Sequence, residues 1–302
     1  MVSRQRVVVA DPQGEGLTAM RILVTGAGGQ LGHDVVARFS RDEHHEVVAA
    51  DRAALDIGDR DAVLGAIMSL RPDVVVNAGA WTAVDACEDD PERAHRVNGL
   101  ACRHLGDACR RVEAHLVHVS TDYVFDGTKP TPYTEWDRPD PQSVYGASKL
   151  AGEHELALHA PGATIVRTSW VCGATGDNMV KTVLGLRDRT ELAFVDDQRG
   201  KPSFTPDLAD GIHTLAIRRL PGLFHLTNQG AVSWYEFVRD ILEVAGADPD
   251  IVRPIKTSEL DPPRPAPRPA NSVLDDLAWR LHGLDPLPHY RESLERLVRE
   301  LD

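Results

Sequence analysis

Tyr145 and Lys149 stand four residues apart in "SVYGASKLAGE" (143–153), a stretch that reads as the front of a helix, so both side chains fall on one helical face. A phenol can give up a proton, and an ammonium one turn away favours the phenolate left behind. The pair therefore has the parts of a general acid with electrostatic support. The same spacing also occurs in helices that do no chemistry, as an aromatic ring and a surface ammonium. A second stretch, "STDYVFDG" (120–127), gathers two hydroxyls and a carboxylate in Ser120, Thr121 and Asp122. In an unknown fold that trio is equally well explained as a helix or turn cap. Where the two stretches lie in the fold decides between these readings.

From Arg21 onward, short runs rich in Val, Ile and Leu (21–26, 45–51, 73–79, 115–121 and 164–170) alternate with helix-like segments at about 30–40, 59–70, 90–111 and 142–160. Strands apolar on both faces and separated by helices predict an α/β fold, a doubly wound, Rossmann-like parallel sheet. A dinucleotide-binding domain is expected over 20–170 and a mostly substrate-binding region over 171–302, with one or two elements near 200–230 returning to the sheet. In that second region helices are expected at 177–188 and near 206–219, a strand at 222–227, and a helix opened by the capping Ser233. The proline-rich "DPPRPAPRPANSVLD" (261–275) reads either as a flexible linker or, because arginines alternate with its prolines, as an ordered strap.

The first strand runs directly into "TGAGGQLG" (25–32), where Gly26, Gly29 and Gly32 give G-x-x-G-x-x-G. Missing Cβ atoms permit a tight strand-to-helix turn and let backbone approach a pyrophosphate at the helix N-terminus. The motif follows a strand and opens a helix in the first β-α unit, the context that dinucleotide binding requires. After the second strand, Asp51 is placed to accept from an adenosine ribose, which favours NAD, whereas Arg52 could pair with a 2′-phosphate, which favours NADP. The two residues point in opposite directions. Asp56 and Ile57 would lie near the adenine, and the small Ala78, Gly79 and Ala80 after the third strand leave room for a cofactor against backbone.

The 302 residues carry a formal net charge of −13, so nucleic acid and anionic membrane are poor partners, and an anionic small molecule needs a local pocket of Arg, Lys or backbone N–H groups. Cys87, Cys102, Cys109 and Cys172 form no Cys-x-x-Cys pair and show no zinc-like His spacing, which points to a reducing, cytoplasmic setting. No carboxylate cluster is assignable to a metal. Residues 1–19 are expected to be a leader or the product of an upstream start, contributing little to the fold.

Taken together, the first-turn glycines, Ser120-Thr121 and Tyr145-x-x-x-Lys149 resemble the extended short-chain dehydrogenase/reductases. "GGQLG", "NAGAWTAVDACE", "STDYVFDG", "VYGASKLAGE", "RTSWV" and "RPANSVLD" occur in the order seen in the dTDP-4-dehydrorhamnose reductases, from about Met20 to the C-terminus. The resemblance implies reduction of the C4 ketone of dTDP-4-dehydro-L-rhamnose by NADPH, with NADH as the alternative. It implies Tyr145 as proton donor, Lys149 supporting its phenolate and holding the cofactor ribose, and Thr121 orienting the ketone. Gln30, Leu31, Thr82, Asn98 and Ser120 join the cofactor surroundings, with Asn98 a candidate anchor for a relay water. Thr121, Asp122 and Trp170 would touch the sugar and Arg268 the diphosphate, while Glu153 and Leu150 are left as ordinary helix residues. Some family members are described as magnesium-bridged dimers; this chain is expected to be a monomer or homodimer, and Mg²⁺ stays open.

Two departures from the family stand out. Two adjacent arginines before the proline are common there, whereas here Arg264 and Arg268 are separated, so either could meet phosphate. Cys172 takes the place of a frequent tyrosine and is expected to be tolerated packing. Rival readings are a nucleotide-sugar 4,6-dehydratase, disfavoured because Tyr123 follows Asp122 where a glutamate would serve as base; an epimerase; and a non-catalytic regulatory subunit of the methionine adenosyltransferase type, disfavoured because Thr121, Tyr145 and Lys149 are all retained.

Overall fold

The computed structural model describes residues 19–301, so the leader expected over 1–19 lies outside them except for its last residue. At the centre is a parallel sheet of six strands: β1 (Arg21–Thr25), β2 (Glu46–Ala50), β3 (Val74–Asn77), β4 (His115–Thr121), β5 (Thr164–Thr168) and β6 (Gly222–His225). Their spatial order is β2-β1-β3-β4-β5-β6. β1 continues to β2 on one side and lies against β3 on the other, so the order in which strands are added reverses there. Ligands of such sheets bind at the carboxyl ends of the strands beside that reversal.

Both faces of the sheet are covered. On one side α1 (Gln30–Phe39) and the later helix α5 (Thr205–Ile217) close a core containing Val24, Val35, Phe39, Val76, Leu208 and Ile212. On the other, α2 (Arg60–Leu70) and α3 (Ala101–Val112) bury Leu23, Val63, Ile67, Val75 and Leu105. All four residues of β3 are buried, as expected where helices pack on both faces. α2 begins where the Asp59 carboxylate accepts from the N–H groups of Asp61 and Ala62, each at 3.0 Å.

α4 (Val144–His159) carries Tyr145 and Lys149. Ser143 caps it, accepting from Gly146 N at 3.1 Å. Gly146 also permits a close approach, since a Cβ there would lie 2.2 Å from Tyr123 O. Glycine at this one position brings the helix against the turn that follows β4.

The single helix expected over 90–111 is instead three pieces: Pro91–Ala94, a π-turn at His95–Leu100, and α3. The π-turn widens the backbone where Asn98 turns inward to bind Trp81, and such bulges gather at functional sites. The helix expected at 177–188 is shorter, Met179–Leu184, capped by Asn178 and ending at Gly185. Ser233 opens α6 (Trp234–Val244) with a full capping box, exchanging bonds with Glu236.

The second region builds its own apolar cluster around Phe237, Ile241, Leu294 and Val298, from α6 and the last helix α7 (Tyr290–Leu301). Three two-stranded pairs complete it: Val171–Cys172 with Ser203–Phe204, Leu192–Val195 with Val252–Ile255, and Arg199–Gly200 with Val232–Ser233. Cys172 is buried in this cluster as packing. Of the two readings of 261–275, the structure takes the strap. Its backbone bonds to Gly127, Arg199 and Tyr133 through Asn271 N, Ala270 O, Ser272 N and Val273 O, at 2.8–3.1 Å. The prolines supply no N–H to leave unpaired, and the intervening residues make the ladder.

Candidate active site

The first β-α turn closes on itself and on the end of β3. Gly26 has φ +70°, and a Cβ there would lie 2.5 Å from Gly79 N; a Cβ on Gly32 would lie 2.1 Å from Gly26 O. No side chain caps the first turn of α1, so its N–H groups remain for a ligand anion. Beside this turn opens a crevice of about 390 Å³. It is lined by Gly26 and Gly29, by Asp51, Arg52, Asp56 and Ile57 after β2, and by Ala78, Gly79 and Ala80 after β3. Gly28, Trp81, Arg93 and Val97 also line it, unforeseen from the sequence. The Arg93 guanidinium sits 4.2 Å above the Trp81 ring, a pairing of two segments that no sequence spacing announces.

The cradle is of the kind a dinucleotide needs: the missing Cβ of Gly26 lets the turn close on the Gly79 backbone, and the uncapped N-terminus of α1 opens beside it. Asp51 Oδ1 accepts from Ala54 N at 2.8 Å, whereas Arg52 is exposed and makes no hydrogen bond or ion pair among the described residues. Leu31 is buried in the core and Gly32 in the turn. Gln30 turns its amide to the second region, donating to Asp177 O at 2.9 Å and accepting from Asn178 Nδ2 at 3.0 Å. Thr82 is exposed on the loop after β3.

At the end of β4, Thr121 meets Tyr145. Thr121 Oγ1 donates to Asp122 Oδ1 at 3.0 Å and accepts from Tyr123 N at 3.2 Å. Thr121 Oγ1 thus stands between the Asp122 carboxylate and the Tyr145 phenol. Burial pushes the Tyr145 phenol well above its ordinary value, while the Thr121 hydroxyl beside it pulls the other way. The Tyr145 ring packs edge-on to Tyr123 at 5.6 Å. Asp122 is itself buried, and burial raises its carboxyl to about 6.

Lys149 is fully enclosed, donating to Val119 O at 2.6 Å with Nζ 3.2 Å from His118 Nε2. Burial holds its ammonium below the ordinary lysine value. His118 escaped notice in the sequence, although a histidine inside the apolar run "HLVHVST" was the available signal.

Ser120 Oγ donates at 2.5 Å to Glu153, and Glu153 also receives Arg167 Nε at 2.9 Å and Nη2 at 2.6 Å. Glu153 is therefore no ordinary helix residue: it is buried and is the counter-charge that lets Arg167 sit on β5 inside the protein. Leu150 packs at the edge of the small Val124–Phe125–Tyr133–Leu274 cluster. Asn98 clamps Trp81 through both backbone groups, at 2.8 and 3.1 Å, and donates to Ser148 Oγ at 3.0 Å. Its side chain thus joins the crevice wall to α4.

On the strap, Arg268 binds both oxygens of Asp85, while the exposed Arg264 stands 3.8 Å from the same carboxylate. Trp170, at φ +46°, stacks on Trp234 at 3.5 Å and packs against Gly200. The structure brings Thr121 against both Asp122 and Tyr145 and places Arg268 against Asp85 and near Tyr123, whereas the described contacts of Trp170 are within the second region. No group of three or more His, Cys, Asp or Glu side chains that could hold a metal occurs among the described residues. None of their helices is long and apolar enough to cross a membrane.

Residues 20–302 match the model of a family described as the RmlD substrate binding domain. A dTDP-4-dehydrorhamnose reductase of Streptomyces griseus is 44% identical over 91% of each chain. A probable dTDP-4,6-dihydroxy-2-methyloxan-3-one 4-ketoreductase of Streptomyces antibioticus is 42% identical over 93% of this chain and 96% of its own. The crystal structure of a dTDP-4-dehydrorhamnose reductase from Bacillus anthracis in complex with NADP superposes with a TM-score of 0.88 at 35% identity, covering 93% of this chain and 99% of that one.

Proposed function

Since the chain belongs to the RmlD substrate binding domain family, we propose that it is an NAD(P)H-dependent oxidoreductase that reduces the C4 ketone of dTDP-4-dehydro-L-rhamnose to the alcohol of dTDP-L-rhamnose. The observation that carries the reading is the contact of Thr121 with Tyr145, whose ring packs in one cluster with Trp81 of the crevice wall. A bound nicotinamide would supply the hydride to the carbonyl carbon. The protein's part is the proton. An alkoxide left bare in a dry site is costly, so an acid must stand within hydrogen-bond reach of the oxygen. Tyr145 is that acid: burial keeps its phenol protonated at neutral pH, and the Thr121 hydroxyl stands beside it.

NADPH is the preferred reductant in this reading. Asp51 is engaged by Ala54 N–H, Arg52 stands exposed for a 2′-phosphate, and the Bacillus anthracis relative carries NADP. Asp122 and Trp170 contact the sugar and Arg268 the diphosphate. A second reading, reduction of a different dTDP-linked 4-keto sugar, is favoured by the similar identity of the Streptomyces antibioticus ketoreductase. Purified protein offered dTDP-4-dehydrorhamnose and each reduced cofactor in turn should lower nicotinamide absorbance, faster with NADPH. No oxidation with either cofactor overturns the reading, and oxidation only with another dTDP-4-keto sugar replaces it by the second.

A further inference from the structure

Behind Tyr145 a line of buried polar groups ends on Lys149, and its other members have no task in the reaction above. Gly79 N–H reaches Asn77 Oδ1 at 3.1 Å, and the Thr25 hydroxyl donates to the same oxygen at 2.7 Å. Asn77 Nδ2 lies 2.9 Å from His118 Nδ1, and His118 Nε2 faces Lys149 Nζ at 3.2 Å. β3 and β4 pair with Asn77 directly opposite His118, which fixes this juxtaposition in the sheet itself. Asn77, His118 and Lys149 are all buried.

The directions of these bonds follow from one fixed donor. A backbone N–H can only donate, so the Asn77 atom facing Gly79 is oxygen and the one facing His118 is NH₂. An amide NH₂ is a donor only, so His118 Nδ1 must accept. A neutral imidazole that accepts at Nδ1 carries its proton on Nε2, the atom facing Lys149. An ammonium there would set N–H against N–H. A neutral amine meets the geometry: its lone pair takes the His118 Nε2–H, and one of its own N–H groups serves Val119 O.

We propose that Asn77 and His118 are a positioning pair, in which Asn77 fixes the imidazole tautomer and His118 thereby holds Lys149 as a neutral amine in the cofactor-free protein. The inference deepens the proposed function, because Lys149 is the lysine one turn from Tyr145. The other titratable groups acting on Lys149 are Cys102, from α3, and Glu153, on its own helix. The Cys102 thiol donates to Asn98 O at 3.3 Å and burial pushes it up to about 12, so it brings no charge; its Sγ also lies 3.6 Å from His118 Nε2, a longer contact and a weaker acceptor than an amine. Glu153 is engaged by Arg167 and Ser120. Burial disfavours both the ammonium of Lys149 and the imidazolium of His118, in the same sense as the bond pattern. Lys149 then becomes a cation only by taking up a proton, and its ionisation enters the pH profile of turnover.

The test reads tautomer and proton affinity directly on the cofactor-free full chain. In ¹⁵N-histidine-labelled protein near pH 8, long-range ¹H–¹⁵N spectra should show His118, assigned by its loss in His118→Gln, protonated at Nε2. With ¹³Cε-labelled lysine, only five lysines are present and Lys149 is assigned by Lys149→Arg. Its titration midpoint should fall clearly below that of the other lysines. Asn77→Asp, whose carboxylate accepts from Nδ1–H, should swap the tautomer and raise the proton affinity of Lys149 more than tenfold. Asn77→Ala, which adds no charge, should release the tautomer and move the midpoint the same way by less. A wild-type Nδ1–H tautomer, or a Lys149 that titrates with the surface lysines, overturns the proposal without any variant having to fold. Neither result depends on which sugar the enzyme reduces, so failure here is distinguishable from failure of the functional reading.

Discussion

Arg268 lays its guanidinium across both oxygens of Asp85, a residue 183 positions earlier in the chain, with Nη2 donating to Oδ2 at 2.8 Å. The cation that the strap carries over the site therefore arrives with its own counter-ion, and Arg268 in turn holds the Asp85 carboxyl below its usual range. Ala266 N, on the same strap, also donates to Asp85 at 3.1 Å, so one carboxylate anchors two points of the proline-rich segment.

Under the proposed function a diphosphate must compete with Asp85 for that fork. Arg268→Ala should raise KM for the nucleotide sugar by about 10- to 100-fold with a smaller change in kcat, the range expected for a charge-assisted hydrogen bond of ~1.5–3 kcal/mol. Asp85→Asn, which removes the competing charge, should lower KM. Steady-state kinetics decide it; a KM rise from Arg264→Ala alone transfers the role to Arg264.

Tyr145→Phe should leave cofactor affinity intact and cut turnover by ~10²–10⁴-fold, the usual worth of a positioned general acid. Cofactor titration by fluorescence and single-turnover rates separate the two effects. Turnover close to wild type would remove Tyr145 from the mechanism.

Asp122 gives a pH-dependent stability. Its folded-state value of about 6 lies above the ordinary 3.8, so the folded protein holds this proton more tightly than the unfolded chain. Stability is therefore lost as pH rises from about 4 to about 6, by on the order of 2–3 kcal/mol, and the loss is complete above that window. Asp122→Asn should flatten this slope, stabilising the protein at pH 7 and changing little at pH 4. Urea unfolding across pH 4–7 measures it, and a slope equal to that of wild type sinks the assignment.

Glu153→Gln should destabilise the fold by ~3–5 kcal/mol, because it strips a buried arginine of its charge partner. Arg167 is 2% exposed, its Nη1 makes no hydrogen bond, and the Phe125 ring 5.0 Å from its guanidinium offers a cation–π contact but no counter-charge. Chemical denaturation gives the value, and a loss below ~1 kcal/mol would mean that water reaches Arg167.

Arg52→Ala should raise KM for NADPH at least ~10-fold while leaving KM for NADH within about two-fold, since only the former carries the 2′-phosphate that a guanidinium can grip. Equal effects on both cofactors would place Arg52 outside the phosphate contact.

Local pattern determined much of this protein. Valine-rich runs that can be buried only between two layers predicted the parallel sheet, and the glycine spacing of residues 26–32 predicted the turn at the end of β1, because sterics at a missing Cβ act within a few residues. Ser233 announced its helix for the same reason: a cap is a bond to the next turn. The tertiary structure alone decided which polar groups meet across the sheet. Asn77 and His118 come from strands 41 positions apart, Arg167 and Glu153 from a strand and a helix, and Arg268 and Asp85 from opposite ends of the chain. None of these pairs has a sequence spacing to betray it, since strand register and helix docking set the distance. Yet inside a protein each charge and each N–H must find its partner, and that requirement turned a histidine in an apolar strand and a glutamate on a helix into neighbours of the reaction.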